Sequence, residues 1–304
     1  MTRHVLSLLD LGADGLRAVL QRAKFLKSVR GKAEHPQTLK GKSVAVLLEK
    51  ASTRTRISFE VGIQELGGHP LVLAARDLQL GRGETIEDTG RMFSRYVHAV
   101  VYRTSEHERV QALADACSIP VINGLSDLLH PCQLLADLMT MEEEWGSCEG
   151  RKVAWLGDGN NVDHSWILAA ALMNFELVLA CPQGFEPEAE VLALGRKTGR
   201  AKIEVVSRPE EALQGAHVVV TDVWASMGQE AETEARKKAL AAYAVDAAGM
   251  RKAASDAIFL HCLPAHRGEE VDAAVIDGPQ SRVWNEAENR LHTQKALLEW
   301  VLDA

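Results

Sequence analysis

The chain has 304 residues, a length that accommodates two domains of ordinary size or one large α/β unit. Its 46% apolar and 25% charged residues are typical of a globular protein and argue against a disordered or collagen-like chain. The 34 basic residues against 42 acidic ones give a net charge of −8, which disfavours non-specific binding to nucleic acid or to an anionic membrane.

The N-terminal segment and the cysteines indicate a cytoplasmic protein. Asp10 and Asp14 interrupt the apolar stretch that a signal peptide would need. The longest apolar runs, at 43–48 and 257–263, are far shorter than the roughly 18 residues of a membrane span. The five cysteines are an odd number without a CxxC pair, so we expect free thiols and neither a disulfide framework nor a zinc knuckle.

Short β-branched runs alternate along the chain with amphipathic segments, a pattern typical of parallel sheets with crossover helices. The pattern predicts nine strands, at 43–48, 70–75, 99–103, 120–124, 152–157, 176–181, 203–207, 217–223 and 257–263. A helix at 131–145, followed by Gly146 and Gly150, predicts the link between two sheets. We therefore expect an α/β fold of two doubly wound parallel-sheet domains, 1–147 and 148–284, with a final helix at about 285–304 packing back onto the first.

Six polar clusters follow predicted strands. They lie at 52–56, 102–104, 130–133, 157–165, 222–228 and 261–268. Because open α/β sheets bind ligands at the carboxyl ends of their strands, these clusters predict one active site in the cleft between the two domains.

The first cluster, STRTR at 52–56, predicts a site for a phosphate or a similar dianion. It offers three hydroxyls, two guanidiniums and the free amides of a helix N-terminus. The alternative is that Ser52 or Thr53 only caps the helix while Arg54 and Arg56 are solvated. Arg103 follows the apolar run AVVY, where burial is costly without an anion or an ordinary carboxylate partner.

Other phosphate-binding motifs fail on specific residues. No GxxxxGK[ST] is present, which excludes a P-loop. After the fifth predicted strand, Gly157 and Gly159 match two glycines of GxGxxG, but Val162 occupies the third position and makes a nicotinamide enzyme a weaker hypothesis. Asn161 and Asp163 are expected to present an amide and a carboxylate there, or to act as turn and capping residues.

The motifs STRTR, HPCQ, GDGNNV, DVWASMG, HCLPAHRG and EAENRLHTQKA occur in this order across nearly the whole chain. Together they resemble the aspartate/ornithine transcarbamoylase family, and the SMG loop and the cysteine of HCLP are similar to its ornithine branch. The resemblance implies transfer of the carbamoyl group of carbamoyl phosphate to the side-chain amine of L-ornithine. It further implies that the products are L-citrulline and phosphate, that no cofactor is needed, and that the reaction serves arginine biosynthesis.

The resemblance also implies the site residues. Carbamoyl phosphate is bound by Ser52, Thr53, Arg54, Thr55, Gln79, Arg103, His130, Gln133, Arg290 and the backbone of Cys262 and Leu263. L-Ornithine is bound by Asn161, Asp222, Ser226 and Met227, with Asp222 suited by charge to the α-ammonium. Arg54, Thr55, Arg103 and His130 are expected to stabilise the developing oxyanion, and an ionised Cys262 is expected to accept a hydrogen bond or proton from the attacking amine.

Gln79 can come from a neighbouring subunit in this family, which implies a homotrimer or a multiple of trimers. No metal is expected, because the adjacent residues His261 and Cys262 at a strand end should point to opposite faces. Two alternatives stay open: a carbamoyltransferase for a related amine such as putrescine or an acylated ornithine, and a non-catalytic binding subunit on the same fold.

Overall fold

A computed structural model describes residues 2–80, 83–225 and 233–303 of the chain. Within these residues all nine predicted strands form. They are β1 (Ser43–Leu48), β2 (His69–Ala74), β3 (Ala99–Arg103), β4 (Val121–Leu125), β5 (Lys152–Leu156), β6 (Glu176–Ala180), β7 (Ile203–Val206), β8 (Val218–Thr221) and β9 (Ile258–Leu260). Most are continuous apolar runs, as expected of strands buried on both faces of a parallel sheet.

The helices occupy most of the segments between the strands. They are α1 (Gly12–Ser28), α2 (Thr53–Glu65), α3 (Ile86–Tyr96), α4 (His107–Ala116), α5 (Pro131–Trp145), α6 (Asn161–Met173), α7 (Ala189–Thr198), α8 (Pro209–Leu213), α9 (Thr233–Leu240), α10 (Ala247–Met250), α11 (Ala273–Ile276) and α12 (Val283–Leu302). None of the helices in the described part of the chain is long and apolar enough to cross a membrane.

The strands form two parallel sheets, which confirms the predicted α/β class. The first has the order β2-β1-β3-β4 and the second the order β7-β6-β5-β8-β9. In each sheet the order reverses once, between β1 and β3 and between β5 and β8. Such a switch point leaves a crevice at the carboxyl ends of the two strands, where ligands of open α/β sheets bind.

The chain divides into two compact units. One comprises Met1–Met139 with Glu288–Ala304, and the other comprises Thr140–Ala287. The core of the first unit includes the fully buried Tyr102 of β3, packed with residues of α3 and α4. In the second unit, Trp166 of α6 meets Phe175 edge-on with ring centroids 5.8 Å apart.

The last strand is shorter than predicted. β9 ends at Leu260, where the sequence predicts a strand to residue 263. Leu263 lies in the left-handed region at φ 58°, which a strand cannot contain. His261 and Cys262 therefore belong to a turn that leaves the sheet, and the alternation of a strand does not apply to them.

Candidate active site

The turn between β1 and α2 presents the STRTR segment. Ser52 caps α2, because its Oγ accepts a hydrogen bond from the Thr55 amide over 3.4 Å. Thr53 and Arg54 follow in the first turn, where free amides and the helix dipole favour an anion. Arg56 is exposed and pairs with Glu60 at 3.3 Å, so this second arginine is a surface charge.

Arg103 lies beside this turn at the end of β3. Leu48 of β1 and Arg103 are partners in the parallel ladder, and Arg103 Nη1 donates to Thr55 Oγ1 over 3.4 Å. Thr55 is itself 1% exposed. The residues that flank the switch point of the first sheet therefore lie close together.

His130 lies immediately before α5 and is 4% exposed. Burial lowers the pKa of its imidazole well below the ordinary 6.5, and the positive charges of Arg290, Arg103 and Arg54 lower it further. Guanidiniums from α12, β3 and α2 thus all act by their charge on an imidazole that is neutral at pH 7. A neutral imidazole still has one N–H donor.

Arg290 and Gln133 join this group from α12 and α5. Arg290 Nη1 donates to Gln133 Oε1 over 2.7 Å, and Gln133 Nε2 donates to Asp137 over 2.8 Å. All three side chains are at most 3% exposed. The first unit therefore assembles a positively charged group from Arg54, Arg103 and Arg290.

Gln79 does not join this group. It is exposed, and its carbonyl accepts from the Glu84 amide over 3.3 Å. In the described part of the chain no hydrogen bond or ion pair links its side chain to the arginines. Its position does not contradict a role across a subunit boundary, and that role stays a prediction.

In the second unit the GDGNN turn connects β5 to α6. Gly157 has φ 134°, a conformation that side chains rarely adopt, and a Cβ on Gly159 would lie 2.3 Å from the backbone nitrogen of Pro187. Asn160 caps α6, since its Oδ1 accepts from the amides of Val162 and Asp163 over 2.9 and 3.2 Å. Asn161 is half-buried at the first position of the helix.

The prediction that Asp163 presents a carboxylate to a ligand is wrong. The side chain is fully buried in α6. Burial raises the pKa of its carboxyl well above the ordinary value, and the nearby Asp158 raises it further. Asp163 is therefore a buried group of α6 whose carboxyl keeps its proton to a higher pH than an exposed aspartate does.

Asp222, just after β8, connects this turn to the HCLP segment. Asn160 Nδ2 donates to Asp222 Oδ2 over 2.8 Å, and Cys262 Sγ donates to Asp222 Oδ1 over 3.1 Å. Asp222 is 8% exposed, and Cys262 is half-buried. The sequence did not single out Asn160, although an asparagine directly before a helical segment is a recognisable cap signal.

His261 holds the backbone next to Cys262. Its Nδ1 accepts from the Leu263 amide over 2.9 Å, so the ring proton is on Nε2, which lies 3.3 Å from Glu270 Oε1. Burial raises the pKa of Glu270, but the bonds from His261 and from the His266 amide outweigh it and lower the pKa overall. Sequence reasoning missed Glu270, which lies eight positions beyond Cys262.

The reason given for excluding a metal at His261 and Cys262 is wrong. Asp222, His261 and Cys262 each place one potential ligand atom within 4.8 Å of the others, because both residues lie in a turn beyond β9. A second such group in the described part of the chain consists of His266, Glu269 and Glu270. Both ring nitrogens of His261 are already engaged by protein groups, which argues against its use as a ligand.

The predicted ornithine ligands Ser226 and Met227 lie outside the described residues. Arg236 of α9, which follows this segment, contacts Trp224, which precedes it. Its Nε donates to the carbonyl of Trp224 over 2.5 Å, and its guanidinium pairs with Asp158 of the GDGNN turn. The guanidinium also lies over the ring of Phe185, 5.0 Å from its centroid.

Comparison with known proteins gives two family matches that together cover nearly the whole chain. Residues 3–143 match the carbamoyl-P binding domain of aspartate/ornithine carbamoyltransferase. Residues 149–301 match the Asp/Orn binding domain of the same family.

Individual relatives agree. The chain is 52% identical to the ornithine carbamoyltransferase of Halorhodospira halophila over 300 residues, which is 99% of each chain. It is 50% identical to that of Syntrophus aciditrophicus, covering 98% of this chain and 99% of the relative.

Solved structures of ornithine carbamoyltransferases also match nearly the whole chain. The ornithine carbamoyltransferase from Pyrococcus furiosus superposes with a TM-score of 0.96 at 47% identity, over 100% of this chain and 98% of the other. The anabolic ornithine carbamoyltransferase from Campylobacter jejuni superposes with a TM-score of 0.92 at 39% identity, over 98% of each chain.

Proposed function

The chain belongs to the aspartate/ornithine carbamoyltransferase family, and from that premise we propose how its residues divide the work of carbamoyl transfer. The protein is an enzyme that transfers the carbamoyl group of carbamoyl phosphate to ornithine. The products of attack by the side-chain amine are L-citrulline and phosphate. What we propose beyond this is the role of each residue.

The proposal is carried by the contacts of Arg103 with Thr55 in the first turn of α2 and of Arg290 with Gln133 of α5, and the positive charges that lower the pKa of His130 support it. We assign the phosphate of carbamoyl phosphate to the first turn of α2, with Ser52, Thr53, Arg54 and Thr55 as donors. Guanidinium groups and the amides of a helix N-terminus both match a phosphate dianion.

The carbonyl oxygen of carbamoyl phosphate gains negative charge as the amine adds to the carbon. Arg103 and the remaining N–H of His130 are the donors that we assign to this oxygen. A neutral His130 is useful here because it adds a donor without a fourth positive charge. Removing one such donor typically lowers the rate about 100-fold or more. Gln133 and Arg290 complete the donor site, to which Gln79 of a neighbouring subunit and the backbone of Cys262 and Leu263 also contribute.

Ornithine must react as a free amine. An amine with a lysine-like pKa of about 10.4 is protonated at pH 7, and deprotonation there costs roughly 4 to 5 kcal/mol. We propose that the Asp222 and Cys262 pair, with Asn161 and the segment containing Ser226 and Met227, holds the amino acid so that its amine meets the carbonyl carbon. The C–N bond forms, the C–O bond to phosphate breaks, and the amine proton leaves to solvent or to a nearby base.

Most residues assigned to carbamoyl phosphate and those assigned to ornithine lie in different parts of the sequence. We propose that residues 1–147 bind carbamoyl phosphate and residues 148–284 bind ornithine, with the last helix assigned to the first half. Because the reaction joins two substrates, both sets act on one bound pair. Excluding water from the carbamoyl donor would favour transfer over hydrolysis.

We further propose a homotrimer in the cytoplasm that serves arginine biosynthesis. The exposed Gln79 supports subunits that share a donor site, since its side chain has no partner in the arginine group of the described chain. The five cysteines are all free thiols, which is typical of a reducing compartment. Sedimentation of the purified protein tests the trimer, because a monomer that turns over at full rate would contradict a shared site.

The function is tested with purified protein, carbamoyl phosphate and one amine at a time. We expect citrulline and phosphate in equal amounts with L-ornithine, and no phosphate release above the blank with putrescine or N-acetylornithine. Release with either of these amines but not with ornithine would indicate the related transferase. Binding of carbamoyl phosphate without release by any amine would indicate a silent subunit.

A further inference from the structure

Gln294 is a fully buried amide on α12, one helical turn beyond Arg290. A guanidinium has donors only, so the atom of Gln294 that faces Arg290 is its carbonyl oxygen. This oxygen accepts from Arg290 Nη2 over 3.0 Å and from Arg290 Nε over 3.1 Å. With the bond from Nη1 to Gln133, two amide oxygens engage three of the five N–H donors and fix the plane of the guanidinium.

The other end of the same amide reaches α2. The nitrogen of Gln294 donates to Ser58 Oγ over 2.5 Å, and Ser58 Oγ donates in turn to the carbonyl of Arg54 over 2.6 Å. Ser58 is 9% exposed. A continuous series of hydrogen bonds therefore runs from Arg290 through Gln294 and Ser58 to the backbone of Arg54.

We propose that Gln294 is a positioning residue for the donor site, which aligns the guanidinium of Arg290 with the first turn of α2. The proposal rests on the assignment of Arg290 and Arg54 to carbamoyl phosphate above. An arginine already held in its binding orientation loses less freedom when the phosphate arrives. An amide suits this task, since it accepts from the guanidinium without neutralising the charge that the phosphate needs.

The experiment compares Gln294→Met with Arg290→Met and with the double variant. Methionine has nearly the volume of glutamine but can neither orient the guanidinium nor donate to Ser58. We expect Gln294→Met to raise the KM for carbamoyl phosphate and the inhibition constant of inorganic phosphate about 10-fold or more. The KM for ornithine should stay within about twofold, because Gln294 acts on the phosphate side.

A residue that acts through Arg290 has no further effect once Arg290 is gone. Gln294→Met should therefore leave phosphate inhibition unchanged in the Arg290→Met background. Thr293→Val is the matched control, because Thr293 is a fully buried neighbour whose hydroxyl bonds the helix's own carbonyls of Asn289 and Arg290. Ser58→Ala, a smaller change, tests the second half of the series and should raise the same two constants by a smaller factor.

The outcomes separate this inference from the proposed function. If Arg290→Met leaves phosphate inhibition unchanged, the assignment of Arg290 to the donor is wrong, and the role of Gln294 falls with it. If Arg290→Met weakens inhibition but Gln294→Met and Ser58→Ala do not, the positioning role alone is wrong. An equal rise in the KM for ornithine, or a full effect of Gln294→Met in the double variant, would also overturn it.

Discussion

The thiol of Cys262 donates a hydrogen bond to Asp222 Oδ1 over 3.1 Å, although 40 positions separate the two residues. The other carboxylate oxygen of Asp222 accepts from Asn160. Three polar side chains at the ends of β5, β8 and β9 therefore form one connected group in the second unit. In this arrangement the cysteine is the donor and the aspartate the acceptor, which makes their roles separable by substitution.

The charge of Asp222 is the first target. Asp222→Asn keeps the shape of the side chain but removes the negative charge that an ammonium group of ornithine needs. We expect the KM for ornithine to rise about tenfold or more, with the KM for carbamoyl phosphate within about twofold. Asp272→Asn is the control, since Asp272 is exposed and makes no side-chain cap bond to α11. Steady-state kinetics with each substrate varied in turn give both constants, and an equal rise in both would contradict the assignment.

Cys262 can be tested with two variants that differ in hydrogen bonding. Serine keeps a donor for Asp222, whereas alanine removes it. Because the thiol donates to Asp222, we expect Cys262→Ser to retain kcat within about threefold and Cys262→Ala to lose about tenfold or more. Rates should be measured with saturating substrates. If serine and alanine reduce kcat equally, the sulfur itself takes part in proton transfer and the orienting role is wrong.

Sequence patterns sufficed for the sheets because parallel strands buried on both faces are continuous apolar runs. Each of the nine predicted segments overlaps a strand, and the helix at 131–145 has the predicted bounds. The exception is β9, whose apolar run AIFLHCL continues beyond the point where the chain leaves the sheet at His261. Hydrophobicity alone does not mark that exit, since Leu263 is apolar but adopts a left-handed conformation.

The charged candidate residues were also predictable from the sequence, because a guanidinium beside an apolar strand is costly to bury without an anionic partner. The residues that orient them were not. Gln294 and Glu270 each act on a neighbour that only the fold brings close, and buried amides and carboxylates have no sequence pattern of their own. Asp163 shows the converse error, where a polar residue inside a recognised motif proves to be buried.

Arg54 and Arg56 differ by two positions on α2 and form a matched pair. Arg54 lowers the pKa of His130 by its charge, whereas Arg56 is exposed and pairs with Glu60. We expect Arg54→Ala to lower kcat/KM for carbamoyl phosphate about 100-fold or more without lowering the thermal midpoint by more than a few degrees. Arg56→Ala should change kcat/KM less than about twofold, because an exposed ion pair contributes about 0–1 kcal/mol. Comparable losses in both variants would show that the two arginines share one role.

His292 makes the stability of the first unit sensitive to acid. The ring is fully buried in α12, and neither nitrogen forms a hydrogen bond with the described residues, although Glu288 Oε1 lies 3.6 Å from Nε2. Burial is the largest cause that lowers the pKa of the ring, and together with the charges of Lys295, Lys27 and Arg30 it brings the pKa to about 3 against the opposing effect of Glu65.

The direction of the pH effect on stability follows from how many protons the folded and unfolded chains bind at this ring. Below pH 6.5 the unfolded chain takes up a proton at this ring, whereas the folded chain stays neutral until the pH approaches 3. The free energy of unfolding therefore falls by about 1.4 kcal/mol per pH unit from this ring as the pH drops through that range. His130, whose pKa is also lowered, adds to the loss in the same direction.

His292→Leu removes the titrating ring at a position where no hydrogen bond is lost. We expect the slope of unfolding free energy against pH to decrease by about 1.4 kcal/mol per unit between roughly pH 6 and pH 4, with stability at pH 7 changed by less than about 1.5 kcal/mol. Urea unfolding at several pH values measures both quantities. His69→Leu, at an exposed position on β2, serves as the control and should keep the slope of the parent protein. A His292→Leu variant with the parent slope would mean that the ring is protonated in the folded state, with Glu288 close enough to stabilise the imidazolium.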